Sequence, residues 1–351
     1  MDIRNETPFA HGLVIGMGPD RQAHLAVVVK GTFRIPERPG DPVEVADQPI
    51  PFATADAHHQ DDPTASVRTE SDAVVHKPRA DVMLAGHAYA PGGRATTETD
   101  ILLRVGRLEQ VIRVIGDRHW EMPMLGGAPT PSAPVPFTAM PLVFERAFGG
   151  SDHEGGGLCA ENPLGRGYIH GPATAAGTRL PNLENPRQLI RTWNDRPAPV
   201  GWGVFGQAWS PRSQMAGRST ELHPQFGLPE DFDPRFHNGA HPGLQLRALA
   251  GDEEVELLRV TPDGRRRFAL PGRTPRVSVR TRTTTGPNAR VSEPSPLTVV
   301  LDTLVLLPDD GVFTLTWRAS RALALAPEAA LALVASVEIT ESGSRAGTTP
   351  G

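Results

Sequence analysis

The residues best suited to chemistry are carboxylates and histidines set among glycines. Glu145 and Asp152, with Asp117 upstream, could face one cleft and share acid and base work, as paired carboxylates do in hydrolases. The competing fate for each is an ion pair with Arg146, Arg118 or Arg166. Asp152-His153-Glu154 lies on a glycine-rich loop that could turn its side chains inward onto a divalent ion. His58-His59 followed by Asp61-Asp62 offers the same ligand types, but neighbours on an extended segment point to opposite faces. His237 and His241 have i, i+4 spacing, yet Asn238-Gly239 and Pro242 argue against a helix there. Ser151-Asp152-His153 contains the residue types of a catalytic triad, which three consecutive residues cannot assemble into a converging chain. The motifs G-x-x-x-x-G-K-[ST], G-x-S-x-G and H-E-x-x-H do not occur, and Gly16-Met17-Gly18 is a lone G-x-G. The expectation is therefore a protein without catalytic residues, metal or cofactor, with a hydrolase built on Glu145, Asp152 and Asp117 as the alternative.

More conspicuous are rigid polar-aromatic segments. Gly116-Asp117-Arg118-His119-Trp120 follows a strand, and Phe144-Glu145-Arg146-Ala147-Phe148-Gly149-Gly150 sets an acid-base pair between apolar neighbours. Asn162-Pro163-Leu164-Gly165-Arg166-Gly167 and Pro181-Asn182-Leu183-Glu184 place Asn beside Pro, where Asx turns form. Asp117, Arg118, Trp120, Glu145, Arg146, Asp152, Asn162, Arg166, Asn182 and Glu184 thus form one candidate set. Their side chains either satisfy the backbone of irregular segments or contact a partner.

The elements that must position them are strands. His24–Ile35 starts as an apolar run and ends in alternation. Asp81–Tyr89, Thr97–Arg104, Leu108–Ile115, Val255–Val260, Arg266–Leu270, Arg276–Arg282, Leu297–Leu307 and Val312–Arg318 also read as strands, two of them after Asp-Gly hairpin turns. Helices are predicted only at Pro186–Trp193 and Pro327–Val334, with a turn near Phe205–Ala208. From 126 to 242 neither period persists, while Gly, Pro, Asn and Trp are dense. Trp193, Trp202 and Trp209 mark this stretch as ordered rather than disordered. The predicted architecture is all-β, mainly antiparallel and sandwich-like: one domain over 1–342, strand-rich in 1–125 and 243–342, with a long irregular insertion at 126–242. The tail 343–351 is expected to be flexible.

Composition limits the function classes. The 351 residues carry 35 Lys+Arg against 40 Asp+Glu, a formal charge of -5, without the basic footprint of a nucleic-acid binder. No run of about 18 apolar residues free of charge or Pro suggests a membrane span. Met1-Asp-Ile-Arg-Asn-Glu lacks a basic flank before an apolar core, and Cys159 is the one cysteine. A cytoplasmic protein without disulfides is expected. Lysine occurs only at Lys30 and Lys77, so polar networks here are built on arginine forks.

The same segments carry a family resemblance. Thr7-Pro8-Phe9, Val29-Lys30-Gly31-Thr32-Phe33, Lys77-Pro78-Arg79-Ala80-Asp81-Val82 and Gly86-His87-Ala88-Tyr89-Ala90-Pro91 occur in order. They are followed by the four polar-aromatic segments above and by Leu301-Asp302-Thr303-Leu304. Together they resemble the bacterial domain of unknown function 2169 family, from about Asn5 to Arg318. Gly217–His223 departs from the pattern in lacking a tryptophan. The resemblance implies a role beside the type VI secretion system. That role is a cytoplasmic adaptor or chaperone that binds an effector, a PAAR-like tip protein or both, and assists loading onto the VgrG spike. The family supplies no catalytic residues to carry over. A carbohydrate-binding or structural β-sandwich module remains a further alternative, and it would present Trp193, Trp202 and Trp209 exposed on one face.

Overall fold

The computed structural model describes residues 2–285, 289–323 and 331–341. Three sheets carry the fold. The six-stranded sheet runs in the order Gln245–Leu246, Ala80–Leu84, Val299–Leu307, Val312–Ala322, Ala23–Arg34, Ala10–Met17. The five-stranded sheet runs Leu183–Glu184, Leu108–Ile115, Glu98–Val105, Glu254–Leu258, Arg265–Ala269. The four-stranded sheet runs Asp2–Asn5, Val334–Glu341, Pro275–Thr281, Ser295–Leu297. Within these three sheets pairing is antiparallel except where Ala80–Leu84 lies beside Val299–Leu307 and Asp2–Asn5 beside Val334–Glu341. Both larger sheets interleave strands from before residue 126 and after residue 242. The all-β reading holds.

The alternation of Val312–Ala322 shows how the main sheet is built. Phe313, Leu315 and Trp317 point into the principal apolar core, where Phe313 stacks on Phe268 of the five-stranded sheet at 5.3 Å between centroids. Thr314, Thr316 and Arg318 take the other face, opposite Thr32, Lys30 and Val28 of the adjacent strand. That second face is buried too, because the irregular segment from about residue 46 to residue 77 lies across it. Ile50 donates its amide to Thr32 Oγ1 at 2.8 Å, and Lys30 Nζ donates to Asp72 Oδ2 at 2.8 Å. Ala23–Arg34 is buried along nearly its whole length for this reason. Its sequence therefore reads as a continuous apolar run rather than a clean alternation.

Several predicted elements are corrected. Asp81–Tyr89 is two strands, Ala80–Leu84 and His87–Tyr89, because the chain changes partners at Ala85-Gly86 and the second strand pairs with Ala139–Pro141. Leu297–Leu307 is likewise divided into Ser295–Leu297 and Val299–Leu307. No helix forms over 186–193: Asn185 accepts the Arg187 amide, Glu184 the Ile190 amide, and Asp195 those of Arg191 and Thr192. Side-chain acceptors divert these donors from an i to i−4 ladder. Of the predicted helix Pro327–Val334, residues 327–330 lie outside the described residues, 331–333 form one helical turn, and Val334 opens a strand. The tail from 343 also lies outside the described residues. The strands Asp2–Asn5, Ala10–Met17 and Val334–Glu341 were not anticipated.

The irregular stretch is ordered by a core of its own. Trp120, Phe148, Cys159, Ile169, Ala175, Leu180 and Ile190 form a second buried cluster, with Tyr168 and Trp193 packed against it. Trp202 and Trp209 belong instead to the principal core, where Trp209 meets Phe144 and Phe205 edge to face.

Candidate functional site

Four of the candidates, Asp117, Arg146, Arg166 and Asn182, converge on one node at the end of the five-stranded sheet. Leu183–Glu184 pairs with Leu108–Ile115, which brings the loop from Gly116 beside Asn182. Asn182 is fully buried; its Nδ2 donates to Ile115 O at 2.9 Å and to Asp117 Oδ1 at 3.0 Å. Its Oδ1 accepts from Arg146 Nη1 at 3.0 Å and Arg166 Nη1 at 3.3 Å. Arg146 also reaches Asp117 Oδ1 at 3.2 Å, and Arg166 Nε donates to Glu145 O at 2.7 Å. Asp117 is held below the usual carboxylate range: burial opposes ionisation, but Asn182, Arg146 and Arg166 outweigh it. Burial pushes the Arg166 guanidinium down, and the neighbouring Arg146 and Arg179 charges add to that.

Each remaining candidate has an intramolecular partner. Arg118 forms a buried ion pair with Glu184, whose other oxygen accepts the Ile190 amide at 2.8 Å. Burial raises the Glu184 carboxyl despite that cation. Glu145 does not pair with Arg146; it accepts from Ser66 N at 2.6 Å and Ser66 Oγ at 2.9 Å, 79 residues away in sequence. Asp152 takes the amides of Glu154, Gly155 and His170 and the Thr174 hydroxyl, which together depress its pKa, led by the hydroxyl. It braces its own loop and is not paired with an arginine. Asn162, fully buried, ties Phe144 O and Phe148 O together at 2.8 and 3.0 Å. Trp120 anchors the second apolar cluster.

Two glycines of these segments have no room for a side chain. A Cβ on Gly116 would stand 1.8 Å from Val135 O, and Gly149, at φ +150°, would put one 2.1 Å from Asn162 O. Backbone therefore crosses backbone at both points, and the loops are fixed where the polar node requires them.

Two depressions meet at the node. One of about 720 Å³ is lined by His59, Arg68, His87, Glu145, Arg146, Arg166, Asp309 and Asp310 among others. On its wall, Asp309 accepts from Tyr89 OH at 2.8 Å and contacts His87 Nδ1 at 2.7 Å. Burial and that carboxylate push the Tyr89 phenol up to about 12. The other, of about 280 Å³, is lined by Asp117, Arg118, His119, Val135, Arg166, Gly177 and Arg179. The other proposed chemistry is dispersed. His58 Nδ1 is engaged with Ala65 O, Asp62 caps Thr64, and Ser151 meets His153 without Asp152. Among the described residues no group of three or more His, Cys, Asp or Glu side chains is placed to hold a metal. None of the helices among the described residues is long and apolar enough to cross a membrane.

Sequence reasoning missed a second polar construction beneath the six-stranded sheet. Lys77 Nζ lies 2.8 Å from Asp81 Oδ2 and 3.6 Å from Glu70 Oε2, all three buried. Asp81 also accepts from Asn238 Nδ2 at 3.0 Å and Gly239 N at 2.9 Å, while Arg212 pairs with Glu70 and donates to Phe205 O and Phe236 O. Arg318 pairs with Asp302 and donates to Asp72 O and Val74 O. Asp302 reaches it because the register slips between Leu301 and Thr303, leaving Asp302 as the extra residue of a bulge. A signal was present: Lys30, in the middle of an apolar run, cannot be buried as a charge without a carboxylate.

A family model described as "Uncharacterized protein conserved in bacteria (DUF2169)" matches residues 20–318. No curated protein and no solved structure matches the chain.

Proposed function

The chain belongs to this bacterial family of uncharacterised proteins, and from that premise we propose that it is a type VI secretion accessory protein. It acts as a cytoplasmic adaptor or chaperone that binds an effector, a PAAR-like tip protein or both, and helps load them onto the VgrG spike. The observation that carries this reading is the division of labour at the node. The carboxylates available for hydrolysis are engaged by intramolecular donors, while arginine-lined depressions stay open to solvent on a rigid frame. A surface fixed by buried asparagines and glycine crossings suits recognition, since little ordering entropy is lost on binding. The β-sandwich lectin alternative is disfavoured because Trp202 and Trp209 are buried.

The test is co-expression with the effector, tip protein and spike protein from the same bacterium, followed by affinity capture on a tag on this chain. Co-purification of the effector or tip protein is expected, with greater effector solubility than in its absence. Unchanged effector solubility together with no capture of any of the three would refute the proposal.

A further inference from the structure

The smaller depression combines an excess of positive charge with an apolar neighbour. Arg118, Arg166 and Arg179 line it, and Arg146 stands behind it on Asn182. Arg118 is neutralised by Glu184, although its Nε is buried without a hydrogen-bond partner. Arg146 and Arg166 then share Asp117, and Glu145 nearby has both carboxylate oxygens on Ser66. Arg179 is exposed and has no carboxylate within 4.0 Å among the described residues. From the floor of this depression a ladder leads outward: Val135 N to Asp117 O, Ser132 N to His119 O, then Trp120 opposite Pro131 and Glu121 opposite Thr130. The loop it supports presents Met122, Met124 and Leu125, the last two fully exposed. Leu and Met held out in water on a braced stem are costly to a monomer's solubility and suited to a partner.

We infer that this face is the docking site for an extended partner segment bearing a carboxylate close to an apolar side chain. The inference deepens the adaptor reading and rests on it. The carboxylate enters between Arg166 and Arg179, where planar guanidiniums can bind it through paired hydrogen bonds. The apolar side chain packs on Met124 and Leu125. From His119 to Met124 the chain spans at most roughly 16 Å at about 3.3 Å per residue, so at most about five residues of an extended ligand separate the two contacts.

The test is selection of random dodecapeptides, displayed with free C-termini, on the full chain. Two variants are probed alongside it: Arg179→Glu, and Met124→Ser with Leu125→Ser. All three positions are exposed, so thermal melting should match the wild type. The wild type should enrich Asp, Glu or a terminal carboxylate within about five residues of Leu, Ile, Met or Phe. Each variant should bind the enriched peptides at least ten-fold more weakly. Enriched peptides with no acidic bias, or binding that survives both changes, overturn the inference. The effector and tip-protein capture described above is run on the same variants. Capture intact while acidic peptides fail removes this face and leaves the adaptor reading standing. Acidic peptides bound, with no secretion component captured by the wild type and effector solubility unchanged, supports the site and refutes the adaptor reading.

Discussion

Removing Lys77 tests the claim that the strap beneath the main sheet is held by charge. In Lys77→Met the cation that serves both Asp81 and Glu70 is lost, while the stem volume is nearly conserved. Asp81 keeps Asn238 Nδ2 and Gly239 N, and Glu70 keeps Arg212, so neither carboxylate is stranded entirely. Breaking a buried pair costs about 3–5 kcal/mol, and these surviving donors place the expected loss near the lower end. At roughly 2 °C per kcal/mol for a chain of this size, Tm should fall by about 6 °C. The control is Arg34→Met, which breaks the exposed Arg34–Asp47 pair and should cost about 0–1 kcal/mol. Burial lowers the Lys77 pKa, but Asp81 and Glu70 outweigh it and raise the net value. A cation whose folded pKa is raised stabilises fully below its unfolded pKa, about 10.5, and that contribution disappears as pH climbs through the folded value. The variant should therefore lose most at neutral pH and begin to converge on the wild type above about pH 10.5. Urea unfolding across pH 7–11 measures both effects. A neutral-pH loss under about 1 kcal/mol, or one that does not shrink with alkali, would refute the argument.

Other consequences are equally open to measurement. With Tyr168→Phe leaving Tyr89 as the sole tyrosine, phenolate absorbance after a rapid pH jump should appear near pH 12. Asp309→Asn should bring it down. His237, lowered to about 4 by burial with help from Lys77 and Arg212, stays neutral in the fold while the unfolded chain protonates near 6.5. Stability should accordingly fall as pH drops from about 6.5 to 4, and His237→Gln should flatten that limb in acid unfolding curves. Gly116→Ala drives a Cβ into Val135 O and should lower Tm by several degrees, with faster proteolysis of the 122–135 segment; Gly92→Ala at an open turn should not increase that cleavage.

Legibility in the sequence followed the range of the interaction that decides each element. Leu108–Ile115 is a strand with the predicted limits because its alternation and the preceding Gly106 turn are local. Val334–Glu341 and Ala10–Met17 were missed: the first follows an Ala-Leu run that favours helix, and the second is half-buried at every position and shows no face. The candidate set was read from the need of polar residues in irregular backbone to pair with something. The pairings themselves were hidden. Glu145 could have met Arg146 by proximity in sequence, yet Phe144–Arg146 is a single helical turn whose acid is hydrogen-bonded directly to Ser66.

The two polar constructions differ in what they leave over, and this difference decides where function belongs. Beneath the main sheet, Lys30, Lys77, Arg212 and Arg318 are all buried, and each meets a carboxylate at or near contact distance. In that network every cation is matched by a buried carboxylate, so its charge specifies the fold. At the node the same chemistry is incomplete: Arg146 and Arg166 share an exposed Asp117, and Arg179, lining the open depression beside it, has no carboxylate within 4.0 Å among the described residues. Self-repulsion among guanidiniums is tolerated at a surface where solvent screens it, and it is relieved when another carboxylate arrives. Asp117→Asn separates a brace from a lure. If Asp117 only holds Arg146 in place, the variant loses stability and acidic-peptide affinity together. If it also competes with an incoming carboxylate, the variant binds acidic peptides more tightly while melting slightly lower. Because Asn182 alone still orients both Arg146 and Arg166, the second outcome is expected, and peptide affinity reduced in step with Tm would count against it.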